Sequence, residues 1–324
     1  SKVQELQMVT QKGDNTSVVA IHGNFDDAQT GVKKIFGDKA FEEKLAAKGY
    51  QLSSANSINI GRLVPQVVYY VYAYARLVQN GEIKNGDQIN ITVPTGNFGN
   101  ILAAYFAKQM GIPVKTLICA SNDNKVLYDF FTTGTYDKKR DFILTSSPSM
   151  DILISSNLER LIYLSAGSDA QANKAMMEQL SAAGAYTVTD SMRAFMKDFV
   201  GGYATEAENA EGIRHLYDET GYMIDTHTGV ASCVYKNYVR ETGDRTPTVI
   251  ASTASPYKFS HSVMEAVFGD QGSKDEFAII DDLCKASGVP IPPAVEEIRS
   301  AEVRHTRESD VADLEKTVAE ILGL

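Results

Sequence analysis

Gln88-Ile89-Asn90-Ile91-Thr92-Val93-Pro94-Thr95-Gly96-Asn97-Phe98-Gly99-Asn100-Ile101-Leu102-Ala103-Ala104-Tyr105-Phe106-Ala107 is the stretch around which the chain is organised. Its first run is short, β-branched and bounded by Pro94, so it reads as a buried strand; its last is rich in Ala and Leu and reads as a helix. Between them, Gly96 and Gly99 let the backbone turn steeply and lie close to a ligand. Asn97 and Asn100 tolerate left-handed conformations and offer amide groups. The loop ends at a helix N-terminus, where unpaired N–H groups and the positive end of the helix dipole converge on a point suited to phosphate. A Gly/Asn loop in this position also serves as a plain tight turn, and spacing alone leaves both readings open. No Lys-Ser or Lys-Thr follows the second glycine, and the spacing is not Gly-x-Gly-x-x-Gly. The phosphate therefore belongs to some other small molecule than those nucleotides.

Downstream, Pro113–Ala120 reads as a second strand, which completes a β-α-β unit and hence a parallel sheet with a right-handed crossover. Ligands of such sheets gather at the carboxyl ends of the strands. Asn97 lies at one such end and the run Ser121-Asn122-Asp123-Asn124 at the next. The strand Thr246–Ala251 brings Ser252 and Thr253 to the same edge. The pattern also predicts strands over Ser17–Ile21 and Phe142–Leu144, and a strand and loop over Tyr222–Ala231. Upstream, it predicts an amphipathic stretch from Ala28 to Lys48 begun at Asn24–Asp27, and a long, buried helix from Ile60 to Gln79. Residues 167–220 read as an added helical layer, and a closing helix over Asp310–Leu322 is expected to be capped by Ser309. His22 at a strand end and His227 before a helix are positioned either for a cleft or for local capping.

The 324 residues suffice for one large domain or two smaller ones. The reading divides them into residues 1–48, the remainder of a smaller domain, and residues 49–324, a large ligand-binding domain. A net charge of −10 and the absence of any Lys/Arg-rich block argue against nucleic-acid and anionic-membrane partners. Cys119, Cys233 and Cys284 form no Cys-x-x-Cys pair, which favours buried thiols in a reducing compartment over disulfides or a metal site. Cytoplasmic location is the natural expectation.

The motifs Gly96-Asn97-Phe98-Gly99-Asn100, Ser149-Met150-Asp151-Ile152, Asn56-Ser57-Ile58-Asn59 and Ser252-Thr253-Ala254-Ser255-Pro256-Tyr257-Lys258-Phe259 together resemble threonine synthase, along the chain from Ser1 to its C-terminus. The resemblance implies a tryptophan-synthase-β-like α/β fold (pyridoxal-phosphate fold type II), with a mostly parallel sheet and helices on both faces. It implies a lyase that converts O-phospho-L-homoserine and water to L-threonine and phosphate in threonine biosynthesis, with pyridoxal 5'-phosphate (PLP) as cofactor. Residues 96–100 would hold the cofactor phosphate and Thr253 would face the pyridine nitrogen. Asn56, Asp151, Asn157 and Arg160 would contribute to substrate binding. The family's Schiff-base lysine lies in a Phe-Lys-Asp motif followed by Ser-Gly-Asp-Thr-Gly, and neither motif occurs here. Both are expected upstream of Ser1, in a further segment of the same enzyme, so no catalytic residue is assigned in this chain. Lys258 reads as a helix-start lysine. The alternatives are another lyase of the fold, of the serine/threonine dehydratase type, or a non-catalytic phosphate-ligand module.

Overall fold

A computed structural model of the chain describes every residue except Ser1 and Asn24, and leaves aside the side chains of Phe25, Asp26, Gln29 and Thr30. Two units emerge. One comprises Ala55–Lys274 with Lys285–Gly288; the other comprises Ser1–Ser54, Asp275–Cys284 and Val289–Leu324. The unit that begins the chain is thus larger than residues 1–48, because late segments return to it.

The larger unit is built on a four-stranded parallel sheet: β1 (Ile89–Pro94), β2 (Val114–Ser121), β3 (Phe199–Tyr203) and β4 (Thr248–Ile250), in the order β3-β2-β1-β4. β1 has a neighbour on either side and is buried along its whole length, which explains why its sequence runs apolar instead of alternating. Alternation reappears in what its residues touch. Ile91, Val93, Leu117 and Cys119 pack with helices α1 (Val67–Gln79), α2 (Gly99–Gln109), α3 (Val126–Thr133) and α4 (Leu158–Ser165). Ile118 and Ala120 pack instead against Val230, Ala231 and Val234 of α6 (Thr226–Thr242), which follows α5 (Glu206–Thr220). Helices therefore cover both faces. Fully burying a side chain such as Ile101 or Leu102 of α2 contributes roughly 1.5–3 kcal/mol, and both are 0 % exposed.

Several sequence expectations change here. Residues 167–220 are not a purely helical layer: they contain β3, as well as Ala185–Thr187, paired antiparallel with Thr135–Asp137. β3 escapes a hydrophobic-run search because of Gly201 and Gly202, whose lack of side chains is forced by packing. A β-carbon on Gly201 would lie 3.1 Å from the Tyr128 backbone, and one on Gly202 would lie 2.4 Å from Val234 Cγ1. Residues 142–144 form no strand. Asn124 satisfies that backbone instead, its Oδ1 accepting from Ile143 N and its Nδ2 donating to Ile143 O. Residues 222–225 form no strand either, and helix α6 begins at Thr226 with Asp225 as its cap.

The stretch from Ile60 to Gln79 is broken by Pro65 into Ile60–Leu63, a 3-10 turn and α1. Nor is it buried throughout: Val68, Tyr69 and Tyr72 are 63 %, 59 % and 64 % exposed.

In the other unit, Val19–His22 pairs in parallel with Arg307–Asp310. The stretch after the turn is two helices, Phe25–Gly37 and Lys39–Ala46, split where Asp38 caps the second by accepting from Phe41 N. Asn24, part of the expected helix start, lies outside the described residues. Ile35, Phe41, Leu45 and Leu314 form one core cluster of this unit. Gly31 admits Leu314: a β-carbon there would come within 2.3 Å of its Cδ1. Ser309 is a strand residue bonded to Thr317 Oγ1, not a cap, and the closing helix spans Leu314–Leu322.

Candidate phosphate site

Between β1 and α2 the loop leaves the sheet on a last strand-like bond, Thr95 N to Ala120 O at 2.8 Å. Phe98 then takes a left-handed conformation, φ 65°. That geometry costs a non-glycine residue on the order of 1–2 kcal/mol, offset by burial of its ring between Phe131 and Phe199, with centroids 6.0 and 5.7 Å away.

The loop's carbonyls are tied down from one side. Ser155 Oγ donates to Gly96 O at 2.8 Å, and Asn157 donates to Asn97 O through both its backbone N (3.0 Å) and its Nδ2 (2.9 Å). In a trans peptide the N–H points opposite to the carbonyl, so the amides of Asn97 and Phe98 face the other way. Among the described residues, the backbone N–H groups of Gly96, Asn97, Phe98, Gly99 and Asn100 have no hydrogen-bond acceptor. Five consecutive donors, a left-handed residue among them and a helix N-terminus behind them, are the elements from which anion sites are commonly built.

The glycines are required by contact. A β-carbon on Gly96 would lie 2.4 Å from Ser149 O, and one on Gly99 would lie 2.6 Å from Ser57 Oγ. Ser57 Oγ in turn accepts from Asn157 Nδ2 at 2.9 Å. Arg160 donates to Ile58 O at 2.7 Å, to Ser57 O at 3.5 Å and to Asn157 Oδ1. Asn56 Oδ1 accepts from Ile58 N, turning the same segment. Asn56, Asn157 and Arg160 are thus gathered around Ser57 and the loop. Burial pushes the Tyr70 phenol well above its ordinary range, so it stays protonated and donates to Asn100 Oδ1.

Asp151 is placed differently. Its buried carboxylate accepts from Asn122 Nδ2 (2.7 Å), Asn124 Nδ2 (3.2 Å), Thr145 Oγ1 (2.7 Å) and Thr145 N (3.0 Å). It is saturated by the protein and fixes the loop that presents Ser149. Thr253 is exposed just beyond β4, whose Ile250 pairs with Thr92 of β1. The threonine therefore lies on the same sheet edge as Gly96. Lys258 sits in the 3-10 turn Pro256–Phe259 with its ammonium 5.6 Å from the Phe259 ring centroid. Sequence reasoning singled out neither Ser57, which lies within a quoted motif, nor Ser155, whose only signal is its place two residues before Asn157. His22 pairs with Glu308 and Asp310 in the other unit.

Among the described residues, no group of histidines, cysteines and carboxylates suits a metal ion, and no helix is long and apolar enough to cross a membrane. Residues 228–320 match the family model "Threonine synthase, C-terminal". The chain is 42 % identical over 270 residues to human threonine synthase-like 1, covering 82 % of this chain and 36 % of that protein. It is 36 % identical over 284 residues to threonine synthase of Saccharomyces cerevisiae, covering 83 % and 54 %. The crystal structure of PLP-bound threonine synthase from Brucella melitensis superposes on all of the chain with a TM-score of 0.81 at 33 % identity, using 63 % of that protein. The chain thus spans between about a third and about two thirds of the length of these relatives, and its α/β fold is theirs.

Proposed function

We infer that this chain, a relative of the threonine synthases in sequence and fold, carries the cofactor-phosphate site of a PLP-dependent lyase that converts O-phospho-L-homoserine and water to L-threonine and phosphate. The observation that carries this reading is the row of five acceptor-free amides at Gly96–Asn100 above the N-terminus of α2. When bound, PLP supplies an electron sink for negative charge developing on the substrate carbon skeleton.

The chain's own residues would do the rest. The amides at 96–100 bind and orient the cofactor phosphate, and Asn157 and Ser155 hold the loop carbonyls away from it. Thr253 offers the pyridine nitrogen a hydroxyl that donates or accepts but brings no negative charge. Arg160, with Asn56, supplies polar contacts to the anionic substrate, whereas Asn157, 0 % exposed with its amide committed to Ser57, Asn97 and Arg160, acts as Asp151 does, by fixing its loop.

The Schiff-base lysine is expected on polypeptide outside these 324 residues. The apolar stripe Ile60, Val64, Val68, Tyr69 and Tyr72, all exposed, supports a polypeptide partner on that face. Biosynthesis of this kind fits a cytoplasmic protein.

Borohydride reduction of the chain with PLP, followed by peptide mass mapping, is expected to label no lysine stoichiometrically. A protein extended upstream to include the Phe-Lys-Asp motif is expected to gain one labelled lysine and to release phosphate from O-phosphohomoserine. Stoichiometric labelling of Lys258, or an extended protein that neither labels nor turns over, overturns the reading; phosphate binding without turnover would instead favour the non-catalytic module.

A further inference from the structure

Asp225 and His227, at the start of α6, are 0 % and 3 % exposed. Asp225 Oδ1 accepts from His227 N at 2.8 Å and lies 3.0 Å from His227 Nδ1, while its Oδ2 accepts from Thr228 Oγ1. The Asp225 oxygens thus serve as acceptors where the residue caps the helix. The imidazole proton then belongs on Nδ1, leaving Nε2 as an acceptor. Nε2 meets such a donor, Ser149 N, at 3.2 Å. The ring is held on its side by Phe259, with centroids 4.8 Å apart.

The Ser149 residue so gripped is the one whose carbonyl lies against Gly96, at the lip of the amide row. The neighbouring turn of its loop is tethered from the same helix end by Thr226 Oγ1, which donates to Ser146 O at 2.7 Å. Asp151 anchors the loop's far end.

We propose that His227 is a positioning residue for the phosphate loop: through its Nε2 bond to Ser149 N–H, backed by Asp225, it sets the Ser149 carbonyl against Gly96 and so holds the amide row at the spacing a phosphate group needs. The proposal rests on the reading of residues 96–100 as a phosphate site. His227 touches neither phosphate nor reacting atoms in this role. Its contribution is the placement of a neighbouring peptide.

The test measures PLP and inorganic phosphate binding by equilibrium dialysis on the chain and three variants, with thermal melting recorded for each. His227→Phe keeps the ring's bulk against Phe259 but has no acceptor, and is expected to weaken both ligands roughly fivefold to tenfold while still melting cooperatively. His227→Gln, which returns an acceptor oxygen, is expected to recover part of that loss. A merely structural histidine would lower the melting temperature in both variants and leave the dissociation constants of the folded proteins alone, which overturns the proposal. Should His227→Phe fail to fold, the imidazole 15N shifts of the unsubstituted protein decide: protonated Nδ1 with bare Nε2 is required, and the opposite tautomer overturns it. Gly99→Asp separates the two levels. If it binds both ligands as the unsubstituted chain does, the phosphate-loop reading falls and takes the proposal with it; if it abolishes binding while His227→Phe changes nothing, the proposal alone falls.

Discussion

Gly99 and Ser57 are in contact across more than forty residues of sequence, and the absence of a side chain on one is what seats the other: a β-carbon on Gly99 would lie 2.6 Å from Ser57 Oγ and 2.7 Å from Ser57 Cβ. Ser57 in turn meets Asn157, which holds the loop carbonyl of Asn97. Gly99→Asp adds both bulk and repulsion at this point. Since a hydrogen bond to a charged group contributes roughly 1.5–3 kcal/mol, the substitution is expected to weaken PLP binding about tenfold or more. Unchanged affinity in a folded variant, by absorbance titration, would sink the phosphate-loop assignment.

Thr253 lies on the sheet edge that carries Gly96. In a protein complete enough to turn over, Thr253→Asp places a negative charge where the pyridine nitrogen is proposed to lie and favours its protonated form. The expected outcome is an altered cofactor absorption spectrum and a shifted ratio of replacement to side products. A cofactor-bound crystal structure with the Thr253 hydroxyl far from the ring nitrogen rules it out.

Asp151 gathers donors from Asn122, Asn124 and Thr145 in a buried setting. Asp151→Ala leaves those donors unpaired, and the expected loss of stability is about 2–4 kcal/mol by urea unfolding. A loss under about 1 kcal/mol would mean that water replaces the carboxylate, and that Asp151 is not the anchor of its loop.

His22 stands between Glu308 and Asp310, 3.0 and 2.9 Å away. Hydrogen bonds to those carboxylates, that to Glu308 first, raise its pKa above the ordinary value. A pKa raised on folding contributes stability that is fully present below the unfolded histidine value of about 6.5 and is lost as pH rises through the higher folded value. His22→Gln is therefore expected to lower the melting temperature slightly at pH 5 to 6, with the difference vanishing at higher pH. The site is exposed, so the effect is small and falls with salt. An NMR titration placing His22 below the ordinary value contradicts it.

Burial pushes the Cys119 thiol up to about 12 and that of Cys233 to about 11, whereas Cys284 is half-buried. The thiolate is the reactive form. Native protein at pH 8 is expected to react with a thiol reagent at Cys284 first, and at Cys119 only after denaturation. Fast native labelling of Cys119 would show that the sheet around it opens.

The strand, loop and helix of residues 89–109 were legible in the sequence because their signals are local. A β-branched run closed by proline, a Gly/Asn turn and an Ala/Leu run each specify their own backbone within a few residues. The parallel order of β1 and β2 followed from the helix between them. β3 was hidden, because Gly201 and Gly202 look like loop residues until Tyr128 and Val234 are seen pressing on them. The exposed side of α1 was also invisible, since an all-apolar helix face announces burial without saying what covers it.

Sequence by itself determined the fold class and the loop that leaves the carboxyl edge of the sheet, since periodicity and turn chemistry act over short spans of chain. Only the tertiary structure decided which way that loop faces. The direction of its amides depends on where its carbonyls are tied, and the ties come from Ser155 and Asn157, about sixty residues away. Peptide planes turn as rigid units, so bonds made by distant side chains on one side of the loop leave a row of donors on the other.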